Sequence, residues 1–242
     1  SVCAGIPGGD FPRKAGRKAA GRCVWRDLED LRRQGARMVP EVVFVPAGER
    51  KESMMDETIP VAWLLDSDPS IRWQVLRDIV GADDGTVTQE KQKVATQGWG
   101  SRLLSYQDKD GRWGGQLYNN KWLSTTYTLL LLRRMGLESH HDQAQLACKA
   151  LLDGGFRQNG SICYAKSKDV TDHGVTGMIL ALLSYFDYPD DRVQVIAGYL
   201  ISQQMENGSW EPYPGNQETK YTFAATLLCL DALWEYEKRY PE

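Results

Sequence analysis

The chain is predicted to be all-α: an array of about four helical hairpins, one per roughly 48 residues, from about Pro60 onward. Three observations predict it. First, Gln107-Asp-Lys-Asp-Gly111-Arg-Trp113 and Gln204-Met-Glu-Asn-Gly208-Ser-Trp210 share the pattern QxxxGxW. Second, Phe156-Arg-Gln-Asn-Gly160-Ser-Ile162 lies midway with the same glycine, so the three glycines stand 49 and 48 residues apart. Third, an amphipathic segment precedes each glycine after the first, and a much more apolar one follows every glycine. A constant period of this length marks stacked supersecondary units.

The elements follow from these patterns in chain order. Residues 1–53 hold 11 basic and 7 acidic residues, a surplus of +4 in a chain of net charge −3. The first 22 are rich in Gly, Arg, Lys and Ala without helical or strand period, so 1–53 reads as a poorly ordered basic extension. Met54 and Met55 stand just before the first convincing element. A natural start there would make the upstream stretch extra translated sequence, and the opposite reading stays open. Residues 54–242 form the repeat domain. Within it 62–65 and 70–80 are short helices, with Asp68-Pro69 starting the second. A helix over 88–97 is interrupted by Gly98 and Gly100 before 103–107.

Outer helices are predicted over 142–152 and 191–204. In the latter Val193, Ile196, Ala197 and Leu200 fall at i, i+3, i+4 and i+7, the stripe of a surface helix. Inner helices are predicted over 123–135, 175–186 and 223–234. They are apolar on all sides and hence buried.

Bulk composition excludes several classes. A chain 42% hydrophobic and 25% charged is ordinary for a soluble globular protein. The near-balanced charge gives no reason to expect nucleic-acid binding. No run of about 18 apolar residues exists, so no transmembrane segment is predicted. The five cysteines are scattered without CxxC spacing, which suits reduced thiols and a cytoplasmic protein.

QxxxGxW before an inner helix resembles the QW repeat of squalene and oxidosqualene cyclases, shared more loosely with protein prenyltransferase β-subunits. The resemblance covers roughly 99–236, is weaker over 60–98, and is greatest to short bacterial members of that family. It implies an α/α toroid whose cavity holds an isoprenoid, and structural roles for Gln107, Trp113, Gln204 and Trp210. The cyclase DxDD motif, the DDxxD of diphosphate sites and the Asp-x-Cys of zinc prenyltransferases are all missing. Fewer hairpins than a closed family ring leave three arrangements: an open array, a small ring, or a homo-oligomer in which a second copy completes it.

On the toroid analogy, the pocket is lined by loops entering the inner helices. These carry Tyr118, Trp122, Tyr127, Tyr164, Tyr213, Tyr221 and Phe223, whose π-faces suit an isoprenoid or other apolar small molecule. The same loops hold Asp169, Asp172 and His173. A buried carboxylic acid with raised pKa could start carbocation chemistry, and Asp172 beside His173 is the best placed by sequence. The competing role for Asp172 is to cap the helix that starts near Gly174. Cys163, Asp172 and His173 lie within eleven residues but lack a recognised zinc spacing, so no metal site is assigned; the cofactor is unknown.

Three functions remain in view. One is an isoprenoid cyclase or prenyl-transfer enzyme. Another is a non-catalytic repeat module binding a lipid, peptide or protein. The third is an (α/α) carbohydrate-active enzyme, which needs two facing carboxylates such as Asp172 with Glu218 or Glu211.

Overall fold

The computed structural model describes residues 61–165, 171–213 and 219–241, the side chains of 219–221 excepted. The expectations for 1–53, Asp169, Glu218 and the Tyr221 side chain lie outside the described residues. Among the described residues the protein is helical throughout, without a strand. None of its helices is long and apolar enough to cross a membrane.

Short helices open the described part. Helix α1 is Val61–Leu65 and α2 is Pro69–Val75, carried on by a π-helical turn at Leu76–Val80. Helix α3 is Asp84–Gln92 and α4 is Gly98–Ser105. The Asp68 carboxylate accepts from Ser70 N at 2.9 Å, capping α2, and from Trp99 N at 2.7 Å in the first turn of α4. One side chain thus ties two helix starts together. Asp83 caps α3 through Thr86 N in the same way. The expected break falls after Ala95, and Gly98 and Gly100 begin α4, where Asp68 supplies an acceptor to an N–H of the first turn.

Six helices pair as three hairpins. The outer helices are α4, α6 (Asp142–Gly155) and α8 (Arg192–Ser202). The inner ones are α5 (Thr125–Met135), α7 (His173–Tyr185) and α9 (Thr219–Arg239). Each hairpin is joined by the same turn. At Gly111, Gly160 and Gly208 the backbone is left-handed, with φ of 82°, 89° and 81°. In each, the glycine N–H donates 2.9 Å to the residue three back: Asp108, Arg157 and Met205. The preceding Asp110, Asn159 or Asn207 accepts from the backbone N–H two residues on. Two residues past each glycine, the N–H of Trp113, Ile162 or Trp210 reaches the hydroxyl of Thr125, Thr176 or Thr226 on the inner helix, at 3.0–3.2 Å. The two tryptophans staple turn to outer helix, since their indole N–H groups donate to Leu103 O and Leu200 O, each at 2.7 Å. Gln107 donates to Gly111 O and onward to Gln143 O in the first turn of α6, which joins neighbouring repeats.

The core lies where these helices meet. Every residue from His173 to Ser184 in α7 is buried. Its neighbours α5 and α9 are not: Leu131, Phe223, Leu227, Leu230 and Trp234 stay exposed. The sequence reading had all three inner helices buried. Only the middle helix of three has an inner neighbour on both sides. Arg133 of α5 reaches Asp231 of α9 through both terminal nitrogens, at 2.7 and 3.0 Å.

Candidate functional site

Asp172 and His173 sit at the start of α7, and both are engaged by the fold. Asp172 Oδ1 accepts from Val175 N at 3.1 Å, the bond of an N-cap. The His173 ring is 3% exposed and bridges two repeats. Its Nδ1 lies 2.7 Å from Glu211 O, and its Nε2 lies 3.2 Å from the Tyr199 hydroxyl. A carbonyl oxygen only accepts, so Nδ1 carries the hydrogen and Nε2 accepts from Tyr199. The His173 backbone N–H donates to Pro212 O at 3.0 Å, which holds the segment after the third turn against α7. The zinc alternative finds no cluster, for no three His, Cys, Asp or Glu side chains converge among the described residues.

Burial sets the charge state of this histidine. Desolvation lowers its pKa below the ordinary 6.5, outweighing the raising influence of the Glu211 carbonyl and of the Asp172 and Glu211 charges. As pH falls, the unfolded chain therefore takes up this proton first. The contribution to stability is complete above about 6.5 and shrinks as pH drops below it. Thermal melts are expected to show a lower Tm at pH 5.5 than at pH 7.5, and a smaller difference in His173→Gln. Equal differences in the two proteins would contradict this assignment.

The aromatic residues divide between two places. Tyr118 stacks on Tyr164 at 6.0 Å and lies tilted against Tyr127 at 5.7 Å, while Trp122 meets Tyr127 edge-on at 5.1 Å. Four of the seven predicted pocket aromatics thus form one chain of rings, although Trp122 remains 78% exposed at its end. Burial chiefly, with the Tyr127 hydroxyl and the nearby Asp172 and Tyr213, pushes the Tyr118 phenol well above its usual pKa. Tyr213 is partly exposed beside this group. Phe223 is elsewhere, 71% exposed on α9, where it walls a separate cleft of about 450 Å³ with Met205, Glu211 and Thr226.

Tyr118 and Tyr164 line a cleft of about 300 Å³ between the loops that follow the first and second turns. The sequence reading missed its other wall, Arg112 and Arg157. Arg157 donates to Cys163 O at 2.8 Å and to Phe156 O at 3.2 Å. No carboxylate stands within ion-pair distance of it among the described residues. Arg112 has Asp110 at 3.4 Å. The buried Nε of Arg112 is the atom that faces Asp110, whereas that of Arg157 is buried without a partner, and an unpaired buried donor costs about 1–3 kcal/mol, more when charged. A signal for both was present in the repeat itself. Arg112 stands where the other turns carry Ser161 and Ser209, and Arg157 where they carry Asp108 and Met205.

The cleft therefore offers cationic, planar donors on one side and stacked phenol rings on the other. Guanidinium groups bind carboxylate and phosphate in their own plane. Compared with protein-family models the chain matches none, and no curated protein matches it.

Proposed function

We propose that this chain is a non-catalytic helical-repeat binding module whose cleft holds an amphiphilic anion. The negative group meets Arg112 and Arg157, and the apolar or aromatic part lies along Tyr118 and Tyr164. The observation that carries this reading is the pair of guanidiniums, Arg112 and Arg157, lining one cleft with the stacked rings of Tyr118 and Tyr164. Support also comes from what is already committed: Asp172 is spent on capping α7, and His173 is clamped on both nitrogens. A cleft of about 300 Å³ stands at the small end of ligand sites. That volume suits a headgroup and the first part of a chain. The QW-repeat resemblance makes an isoprenoid diphosphate the first ligand to try.

Calorimetric titration of the full chain with farnesyl diphosphate is the direct test, with inorganic pyrophosphate as competitor. Arg112→Gln and Arg157→Gln are each expected to weaken binding about tenfold or more, the effect of losing one charge-assisted contact. Tyr118→Ala should weaken farnesyl diphosphate but not pyrophosphate. Binding that ignores both arginines, or no binding of either ligand, would overturn the assignment.

A second reading is isoprenoid catalysis started by Asp172. Its support is that Asp172 lies near enough to Tyr118 to help raise its phenol pKa.

A further inference from the structure

The outer face of α9 carries an apolar stripe that the hairpin array leaves uncovered. Phe223 is 71% exposed, Leu227 51%, Leu230 49% and Trp234 55%. At about 100° per residue these four positions fall within an arc of about 60° on one side of the helix. The opposite side, with Ala225, Cys229 and Ala232, is buried. Contiguous exposed apolar side chains of this kind mark an interaction surface.

The repeat shows why the face is open. Gly111 is seated against the Leu146 carbonyl of the next outer helix, and Gly160 against that of Val195. At Gly208 nothing among the described residues approaches nearer than its own turn's Gln204 amide. Gln204 likewise bonds Gly208 O within its turn, where Gln107 reaches on to Gln143. The third repeat thus presents the same docking edge without the next helix.

The order of residues in the stripe specifies what covers it. In an antiparallel pairing of two α9 helices centred between Leu228 and Cys229, Phe223 stands opposite the partner's Trp234, and Leu227 opposite the partner's Leu230. The pattern is its own complement, the requirement of an isologous two-fold interface. No like charges meet in that register, since Asp231 falls opposite Thr226 and Glu235 opposite Thr222. Phe223 is also a wall of the 450 Å³ cleft with Met205, Glu211 and Thr226, so the partner's Trp234 arrives at the mouth of a cavity. An aromatic anchor entering a pocket is the usual centre of a binding surface. The opposite end of the array has a different cover. Trp73 of α2 lies against Gly136 and donates to Met135 O at 2.7 Å, so head-to-tail stacking meets no matching edge.

From this we infer that the protein pairs with a second copy of itself through antiparallel α9 helices, Trp234 of each copy anchoring in the Phe223 cleft of the other. Four side chains make a face smaller than the about 800 Å² per partner of a standard interface. Association is therefore expected in the micromolar range.

Sedimentation velocity of the full chain across that range tests this, with circular dichroism to check folding of each variant. The wild type is expected to show a reversible monomer–dimer equilibrium, and Trp234→Ala to weaken it tenfold or more. Leu227→Glu and Leu230→Lys should each be monomeric, because a charge faces leucine. An equimolar mixture of those two should dimerise again. The proposed register places the new carboxylate of one copy against the new ammonium of the other and leaves a leucine pair intact. A monomeric wild type, a dimer that the single variants leave unchanged, a mixture that stays monomeric, or assembly beyond a dimer would each overturn the inference.

Discussion

Gly111→Ala is expected to destabilise the fold by about 2–5 kcal/mol, while the equivalent Gly208→Ala costs only about 1–2 kcal/mol. Both glycines hold the left-handed conformation, at φ 82° and 81°, so both substitutions meet the same backbone penalty. The surroundings differ. A Cβ on Gly111 would come within 2.8 Å of the Leu146 carbonyl oxygen, which belongs to the backbone of α6 and cannot swing away. On Gly208 the nearest atom is 3.9 Å distant, an ordinary contact. Denaturant midpoints of the two variants check this directly. Similar losses in both would mean that only the turn's conformation matters, and not the seating of one repeat on the next. Domains are stable by about 5–15 kcal/mol, so the Gly111 variant should lose a large part of its margin.

Trp210→Ala is expected to cost about 3–5 kcal/mol. The ring is 1% exposed, and its N–H donates to Leu200 O at 2.7 Å. Truncation leaves a cavity and removes one of two donors to Leu200 O, which keeps the Gln203 N–H at 3.1 Å. Trp210→Phe keeps much of the volume and loses one hydrogen bond to a carbonyl that retains another, so it should cost about 0.5–1.5 kcal/mol. A tryptophan that served chiefly as a ligand contact would instead tolerate alanine with little loss of stability. Chemical denaturation of the two variants separates these cases.

The turns were legible because each needs a residue type that few others replace. Left-handed backbone selects glycine, and an Asn or Asp just before it accepts the returning N–H. The three inner-helix threonines were not read from sequence, because they follow their partner residues by 12, 14 and 16 positions and the loops differ in length. Burial of α5 and α9 was overestimated for a related reason. An apolar helix looks the same whether a further hairpin covers it or not. Asp172 illustrates the limit at the site itself, because a helix cap and a catalytic acid call for the same side chain. Only the 3.1 Å bond to Val175 N shows what its oxygen does. Arg112 and Arg157 were hidden because they depart from the repeat, and attention to the pattern favours what recurs. Their meaning came from the fold bringing two successive loops to one cleft.

The central claim, that the cleft binds an amphiphilic anion and leaves it unchanged, is tested most directly by recovering the ligand. The full chain would be incubated with farnesyl and geranylgeranyl diphosphate, and separately with squalene, with and without Mg²⁺ or Zn²⁺, and the extract analysed for products beside an Asp172→Asn variant. The account predicts that the diphosphates are retained in an Arg157-dependent way and recovered intact from both proteins. A new product that forms with the wild type and disappears with Asp172→Asn would contradict it and make the chain an isoprenoid enzyme.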